Sequence, residues 1–154
     1  MNWKLLSLIV GSLVLLPIVG LALLSALSRR PSNLGMIDGR LTACPDSPNC
    51  LSTQANDPEH RMEALTLSGS PQEAMARIKA VIAGFPRTKI VDERENYLHV
   101  EFTSALFRFV DDVEFQIDES AGKIHFRSAS RVGHSDLGAN RRRMEQITAA
   151  ISKP

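Results

Sequence analysis

The sequence predicts an α+β fold: a five-stranded antiparallel sheet with two helices on one face, in the order β-α-β-β-β-β-α. One N-terminal transmembrane or signal helix precedes it. Three observations predict this architecture. Residues 5–28 contain no charged side chain. Two later segments carry apolar residues at the spacing of amphipathic helices. The remaining β-branched and aromatic runs are separated by short turn sequences, which favours antiparallel pairing.

The N-terminal segment, residues 1–28, is predicted to be a membrane anchor. A helix over residues 5–28 is about 36 Å long, enough to cross a hydrocarbon core of about 30 Å. A cleaved signal peptide stays open as an alternative, because Ala26, Leu27 and Ser28 could form a cleavage site. The apolar run is longer than the usual signal core, which favours a retained anchor. The basic residues on the two sides of this segment are nearly balanced, so charge does not decide its orientation.

Residues 29–43 are predicted to be a juxtamembrane linker, since they contain proline, two glycines, serine and asparagine. A single domain over residues 44–154 follows. It opens with a turn-rich loop between Cys44 and Cys50. This spacing predicts a disulfide outside the cytoplasm, with two free thiols as an alternative. A metal site is not expected, because structural zinc takes four ligands and only His60 lies near in sequence.

Both helices of the domain are predicted from their starts and their apolar faces. Ser70 and Glu73 form a capping box around a proline at the first helical position, and Gly84 ends that helix. The second helix is predicted over residues 137–151, with Ser135 or Asp136 as its N-cap.

The five strands are predicted from β-branched and aromatic runs between turns. They cover residues 62–67, 88–92, Tyr97–Thr103, 106–118 and Lys123–Ser130. Pairing Asp118 with Lys123 across the last turn fixes the register of the final hairpin. Phe115 then faces Phe126, and Asp111 faces Ser130, while Phe107 and Phe109 share the same face. On the other face Glu114 lies opposite Arg127 as a cross-strand ion pair, which if exposed contributes only about 0–1 kcal/mol.

The first of these faces is apolar until it reaches Asp111, Ser128 and Ser130. A buried carboxylate without a partner is costly, so Asp111 either pairs with an arginine or opens onto a polar pocket. Two interpretations follow. Arginines and a helix N-terminus bind an anion or carboxylate there, or Asp111 bridges Arg131 in a purely structural network. The candidate ligand-binding residues are Asp111, Arg127, Ser128, Ser130, Arg131, Ser135, Asp136, Asn140 and Arg141.

Charge and motifs exclude several classes of function. Lys and Arg number 18 and Asp and Glu 17, so the chain has no basic field for nucleic acid. Beyond the N-terminal segment, which holds only Lys4, the two signs are equal. The sequence contains no phosphate-binding or dinucleotide loop, no H-E-x-x-H pair and no G-x-S-x-G elbow. No cofactor is therefore expected.

Three motifs resemble the domain of unknown function 1499 family. They are Cys44-Pro-Asp-Ser-Pro-Asn-Cys50, Phe109-Val-Asp-Asp-Val-Glu-Phe115 and Arg127-Ser-Ala-Ser-Arg-Val-Gly-His-Ser-Asp-Leu-Gly-Ala-Asn-Arg141. The resemblance covers roughly residues 41–151. It implies an envelope or organelle-lumen protein of bacterial or plastid type, with an N-terminal signal or anchor. It brings no established activity.

We expect a single-pass inner-membrane protein, held through residues 5–28, with its C-terminal domain in the periplasm. The domain is expected to be non-catalytic and to bind a small anionic ligand or an envelope protein. The alternative location is secreted or periplasmic, after cleavage near Ser28. Two alternative functions stay open. One is a hydrolase-type enzyme acting on a cell-envelope or lipid substrate, with Asp111 or Asp136 as general base. The other is a purely structural or assembly factor.

Overall fold

The computed structural model describes residues 2–153, and that part of the chain forms three helices and eight strands. They are α1 (Trp3–Ala26), β1 (Met36–Ile37), β2 (Arg40–Leu41), β3 (Cys50–Ser52), β4 (Leu65–Thr66), α2 (Pro71–Ala83), β5 (Thr88–Arg94), β6 (Tyr97–Thr103), β7 (Val110–Asp118), β8 (Lys123–Ser130) and α3 (Ala139–Ile151). The predicted α+β class, with an N-terminal apolar helix and a largely antiparallel sheet, is confirmed.

The main sheet has six strands rather than the five predicted. Its order is β3-β8-β7-β6-β5, and β4 also pairs with β8 beside β3. The additional strand, β3, has only three residues and follows directly on the cysteine loop. β1 and β2 form a separate two-stranded hairpin within the predicted linker. Strands this short carry no alternating pattern, which explains why sequence periodicity does not reveal them.

The register of the last hairpin agrees with the prediction. Asp118 pairs with Lys123, Phe115 with Phe126, and Asp111 with Ser130. β7 begins at Val110 and not at residue 106. The two phenylalanines at positions 107 and 109 therefore lie in the loop between β6 and β7, outside the sheet.

Helix α2 begins as predicted. Ser70 accepts a hydrogen bond from the Glu73 backbone N–H, and the Glu73 side chain accepts one from the Ser70 backbone. Helix α3 begins at Ala139, two residues later than predicted. The cause is backbone conformation, because Leu137 and Gly138 both have positive φ angles, which a right-handed helix does not accommodate.

The apolar core lies between one face of the sheet and helices α2 and α3. Its members are the buried side chains Leu51, Ala74, Met75, Ile78, Ile82, Leu98, Val100, Phe102, Val113, Phe115, Ile117, Ile124, Phe126, Met144, Ile147 and Ile151. The burial of these apolar side chains is the dominant stabilising contribution in a domain of this size. The core positions both helices on one face of the sheet, as predicted, and leaves the opposite face to other groups.

Helix α1 is separate from this core. Its segment Leu6–Ala26 is long and apolar enough to cross a membrane, and none of it is buried within the protein. This composition is compatible with a membrane anchor or with a signal sequence.

Candidate functional site

The pleat of β7 places the two neighbouring aspartates on opposite faces of the sheet. Asp111 pairs with Ser130 and lies on the face that carries the helices. Its carboxylate accepts a 2.5 Å hydrogen bond from Nη2 of Arg143 on α3. The guanidinium of Arg143 also lies 4.9 Å above the ring of Phe102. The sequence-based structural interpretation assigned Arg131 to Asp111, and that assignment is wrong.

Asn140 joins β8, α3 and the end of the cysteine loop. Its Oδ1 accepts hydrogen bonds from Ser128 at 2.5 Å and from Arg143 at 2.6 Å. Its Nδ2 donates to Ser130 Oγ and to the backbone carbonyl of Asn49, each at 3.0 Å. The amide of Asn140 is therefore fully engaged while the residue is 1% exposed. We call Asp111, Ser128, Ser130, Asn140 and Arg143 the helix-face cluster.

Arg131 lies on the other face because it follows Ser130 in the alternation of β8. Its Nε and Nη2 donate to the two carboxylate oxygens of Asp112, at 2.9 and 2.7 Å. Nη2 also donates to Glu101 at 2.5 Å. His99 Nε2 contacts Asp112 Oδ1 at 2.8 Å, and because a carboxylate oxygen accepts, His99 is the donor. Asp112 is thus bound by two side-chain donors.

Protonation at this pair is set by burial and hydrogen bonding together. Burial on its own raises the pKa of Asp112, but the hydrogen bonds from Arg131 and His99 outweigh it and hold the pKa below its usual range. The hydrogen bonds to Asp112 in turn raise the pKa of Arg131, against the effect of burial. Both side chains are therefore charged at neutral pH.

A second buried pair lies beside the first on the same face. Arg127 Nη1 donates to Glu114 Oε2 at 3.1 Å, with side chains 6% and 0% exposed. The predicted cross-strand ion pair of Glu114 and Arg127 is confirmed, and it is buried rather than exposed. Tyr97 donates its hydroxyl to Glu114 Oε1 at 2.7 Å, and burial together with this bond raises the pKa of Tyr97. We call Tyr97, His99, Glu101, Asp112, Glu114, Arg127 and Arg131 the polar-face cluster.

Residues 29–43, which we call the N-terminal strap, cover the polar-face cluster. The backbone N–H of Gly35 donates to Glu114 at 2.7 Å. Gln116 donates to the carbonyl of Gly39 at 2.5 Å. Arg30 pairs with Glu101 at 2.8 Å. A segment that sequence composition assigns to a linker thus packs on the sheet and explains why Glu114 is buried.

The helix-face cluster borders a cavity of about 320 Å³ at one end of the sheet. Asp111 and Ser130 line it, together with Ser135, Asp136 and Phe109. Leu21 and Leu24 of α1 also line it. We call this space the sheet-end cavity. Four of the nine predicted ligand-binding residues meet here.

The polar groups of the loop beside this cavity are bonded to the backbone. Asp136 accepts hydrogen bonds from the N–H groups of Gly138 and Asn140, at 2.9 and 2.7 Å. Ser135 Oγ accepts from the Leu137 N–H at 3.2 Å. Asp136 thereby satisfies N–H groups at the start of α3, as an N-cap side chain does, although Gly138 holds the cap position.

Of the remaining predicted residues, Ser128 and Asn140 belong to the helix-face cluster, and the three arginines lie away from the cavity. Arg141 donates to the carbonyls of Glu59 and Arg61, at 2.8 and 3.4 Å, and so binds the loop that follows β3. Arg127 and Arg131 lie on the opposite face of the sheet. The structure therefore divides the nine residues between two faces and one loop contact.

The charge balance at this end of the sheet does not favour a small anion. Arg143 is neutralised by Asp111, and Arg131 contacts the two carboxylates of Asp112 and Glu101. Asp136 adds a further negative charge at the cavity wall. An anion entering here would meet cations that are already paired, so the geometry suits an apolar or hydrogen-bond-donating group better.

The cysteine loop is held by a disulfide and by a histidine. Cys44 and Cys50 are bonded, with Cα atoms 5.7 Å apart. His60 contacts the carboxylate of Asp57 through Nδ1 and the carbonyl of Ser47 through Nε2. Burial on its own lowers the pKa of His60, but these bonds to two acceptors raise it above its usual value. Within residues 2–153 no group of three His, Cys, Asp or Glu side chains is placed to hold a metal ion.

Sequence reasoning missed Glu101 and His99 as members of these clusters, and it left Arg143 out of the predicted ligand-binding residues. For Arg131 the signal was present, because a residue next to Ser130 must point to the face opposite Asp111. For Arg143 the signal was its spacing from Asn140, because two residues that are three positions apart on a helix lie on the same face. The strap left no signal, because Gly35 and Gly39 contribute only backbone groups.

Comparison with known proteins identifies a family. The family model described as a protein of unknown function (DUF1499) matches residues 40–151, which is well over half of the chain. The comparison with curated proteins found no match.

Proposed function

Because this chain belongs to the DUF1499 family, whose description assigns no activity, we propose a function from the site itself. The protein is a single-pass membrane protein whose domain lies outside the cytoplasm, on the periplasmic side of an inner membrane. The domain binds another envelope protein and does not catalyse a reaction. The partner enters the sheet-end cavity from beside α1.

One observation carries the proposal: the charged side chains at the sheet end are bonded to one another, and the cavity beside them is mainly apolar. Arg131 is 7% exposed in its side chain and contacts two carboxylates. Asp136 and Ser135, which line the cavity, accept backbone hydrogen bonds. A general base needs a lone pair directed at substrate, so these residues support binding better than proton transfer.

The disulfide and the apolar helix support the location. Disulfides persist in oxidising compartments such as the periplasm. The structure contains a disulfide between Cys44 and Cys50. Helix α1 provides the membrane segment. The neutralised arginines favour an envelope protein over the small anionic ligand as the partner, because Arg143 and Arg131 are not free to bind an anion.

The location is tested on the full chain in cells. Carbonate extraction should leave the protein in the membrane fraction, and its intact mass should include residues 1–28, for a total of 16.9 kDa. A shortened chain that begins near residue 29 and leaves the membrane would contradict the anchor and support a cleaved signal.

Binding is tested by a photo-crosslinking side chain placed at Ser135, which lines the cavity. Ala121, in the exposed turn between β7 and β8 at the opposite end of the sheet, is the matched control position. One discrete crosslinked protein should form from Ser135 only, and Ala139→Phe, which fills the cavity wall, should abolish it. Equal crosslinking from both positions, or a product that survives Ala139→Phe, would overturn the site.

A further inference from the structure

Three loops meet at the end of the sheet that carries the cavity. They are residues 84–87 between α2 and β5, residues 104–109 between β6 and β7, and residues 131–138 between β8 and α3. These loops are adjacent because the strand ends that they connect are paired: Thr88 with Phe102, Thr103 with Val110, and Asp111 with Ser130. We call these three segments the tip loops.

The tip loops expose large apolar side chains that the fold does not use. Leu106 is 78% exposed and Leu137 is 85% exposed. Outside α1 and its C-cap Leu27, which is 75% exposed, the other exposed large apolar residues of the described chain are less accessible: Met36, Ile37 and Ile90 range from 37% to 62%. Two such leucines at one end of a domain indicate a surface that meets another apolar phase.

The backbone of the tip loops is strained where these side chains are presented. Arg87, Arg108 and Leu137 have φ angles of 56°, 61° and 53°. Asp38 is the remaining non-glycine residue with positive φ in the described part of the chain. Left-handed backbone is unfavourable for arginine and leucine, and such strain concentrates at functional surfaces. Because Leu137 is exposed, burial does not compensate its strain.

Exposed arginines accompany the apolar residues. Arg87 and Arg108 are exposed within the tip loops, and Arg142 is exposed on the first turn of α3. Arg142 donates to the carbonyl of Leu137 at 2.9 Å, which holds its guanidinium beside that leucine. Apolar side chains flanked by arginine are typical of segments that lie in a membrane interface, with the cations at the lipid phosphates.

The connection to α1 brings this end of the domain to the membrane. Helix α1 ends at Ala26, and Arg30 already pairs with Glu101 next to the tip loops. Four residues span at most about 14 Å, so the end of α1 stays close to Glu101. Leu21 and Leu24 of α1 line the same cavity as Phe109 of the tip loops. A bilayer that holds α1 therefore comes against this end.

We propose that the tip loops dock on the surface of the bilayer that holds α1. Leu106 and Leu137 enter the interface, and Arg108 and Arg142 contact lipid phosphates. The domain then has a fixed orientation, with its sheet end toward the lipid and the β7–β8 turn away from it. This inference rests on the membrane anchor of the proposed function, and it adds a second membrane contact made by the domain.

The test uses tryptophan fluorescence of the full chain in nanodiscs of mixed phosphatidylcholine and phosphatidylglycerol. The native chain has one tryptophan, Trp3, so Trp3→Phe gives a silent background. Leu106→Trp and Leu137→Trp are introduced singly, with Ala121→Trp as the control at the far end of the sheet. Acyl-chain bromination should lower the emission of the two tip variants roughly twofold and leave the control unchanged.

Three results would overturn the docking. Both tip variants could be quenched no more than Ala121→Trp, which means that water surrounds the loops. Their emission could be blue-shifted without quenching, which means that protein and not lipid covers them. Trp3 of the native chain could escape quenching, which removes the anchor and with it the proposed function. Quenching of Trp3 with unquenched tip variants would overturn the docking alone. The thermal unfolding midpoint of each variant is compared with that of the native chain, to check that the tryptophan substitutions leave the fold intact.

Discussion

Replacing Arg131 with alanine removes the guanidinium that compensates Asp112. Three hydrogen bonds are lost, two to Asp112 at 2.9 and 2.7 Å and one to Glu101 at 2.5 Å. Asp112 is 1% exposed, so water does not replace them. Removing one partner of a buried ion pair costs about 3–5 kcal/mol. Because His99 still donates to Asp112 and Arg30 to Glu101, we expect a loss near the lower end, about 3 kcal/mol.

The assay is urea denaturation of the full chain in mild detergent, with the free energy of unfolding compared at pH 7 and pH 5. Arg142→Ala is the matched control. It also removes a guanidinium, but that group is exposed and donates to the backbone carbonyl of Leu137. That variant should stay within about 0.5 kcal/mol of the native chain. Adding Asp112→Asn to Arg131→Ala should recover most of the loss, since the uncompensated charge is then absent.

The pH dependence has a definite sign. In the native chain the pKa of Asp112 lies below its usual value, so its stabilising contribution is present above about pH 4 and is lost as the pH falls further. Without Arg131, the effect of burial dominates and the pKa of Asp112 rises. Lowering the pH then protonates Asp112 and removes its uncompensated charge, which stabilises the variant. The difference in the free energy of unfolding between the native chain and Arg131→Ala should therefore be smaller at pH 5 than at pH 7. A difference below about 1 kcal/mol at pH 7, or one independent of pH, would refute this account.

Three further predictions concern the helix-face cluster and the cysteine loop. Asn140→Ala removes the hydrogen bonds that the buried amide makes to Ser128, Ser130, Arg143 and the Asn49 carbonyl, and should cost about 3 kcal/mol in urea denaturation; a loss under about 1 kcal/mol would show that Asn140 is dispensable. Cys44→Ser with Cys50→Ser opens a short loop and should cost about 2 kcal/mol, while reductant should destabilise the native chain equally and leave the variant unchanged. The pKa of His60 is raised, so its contribution is present below about pH 6.5 and disappears as the pH rises through the folded pKa. His60→Gln should flatten that dependence, and an NMR titration that places this pKa below the usual range would contradict it.

Local rules predicted the regular parts of the fold. The capping box of Ser70 and Glu73 marked the start of α2, and the turn after Asp118 determined the register of the last hairpin. These signals are local, since each depends on residues a few positions apart. The start of α3 was misplaced because Leu137 takes a left-handed backbone conformation that leucine rarely adopts.

The candidate site was predictable only in part, because its partners come from distant segments. The pattern left two outcomes open for Asp111, an arginine partner or a polar pocket. The structure pairs it with Arg143, whereas the structural interpretation had named Arg131. The burial of Glu114 depends on Gly35, which is 79 residues away and contributes only a backbone N–H. Neither composition nor periodicity records such a contact. The contacts of the strap therefore emerge only from the three-dimensional arrangement.

The N-terminal strap also has a consequence for the order in which the chain folds. The strap leaves the ribosome before the strands that it covers, and its contacts to Glu114 and Gln116 span 79 and 77 residues. Closing loops of that length is slow, because conformational entropy is lost before the contacts form. We therefore expect the hairpins of the sheet to close first and the strap to dock afterwards. In that order of events Glu114 stays hydrated until the strap, the first part of the domain to be synthesised, covers it.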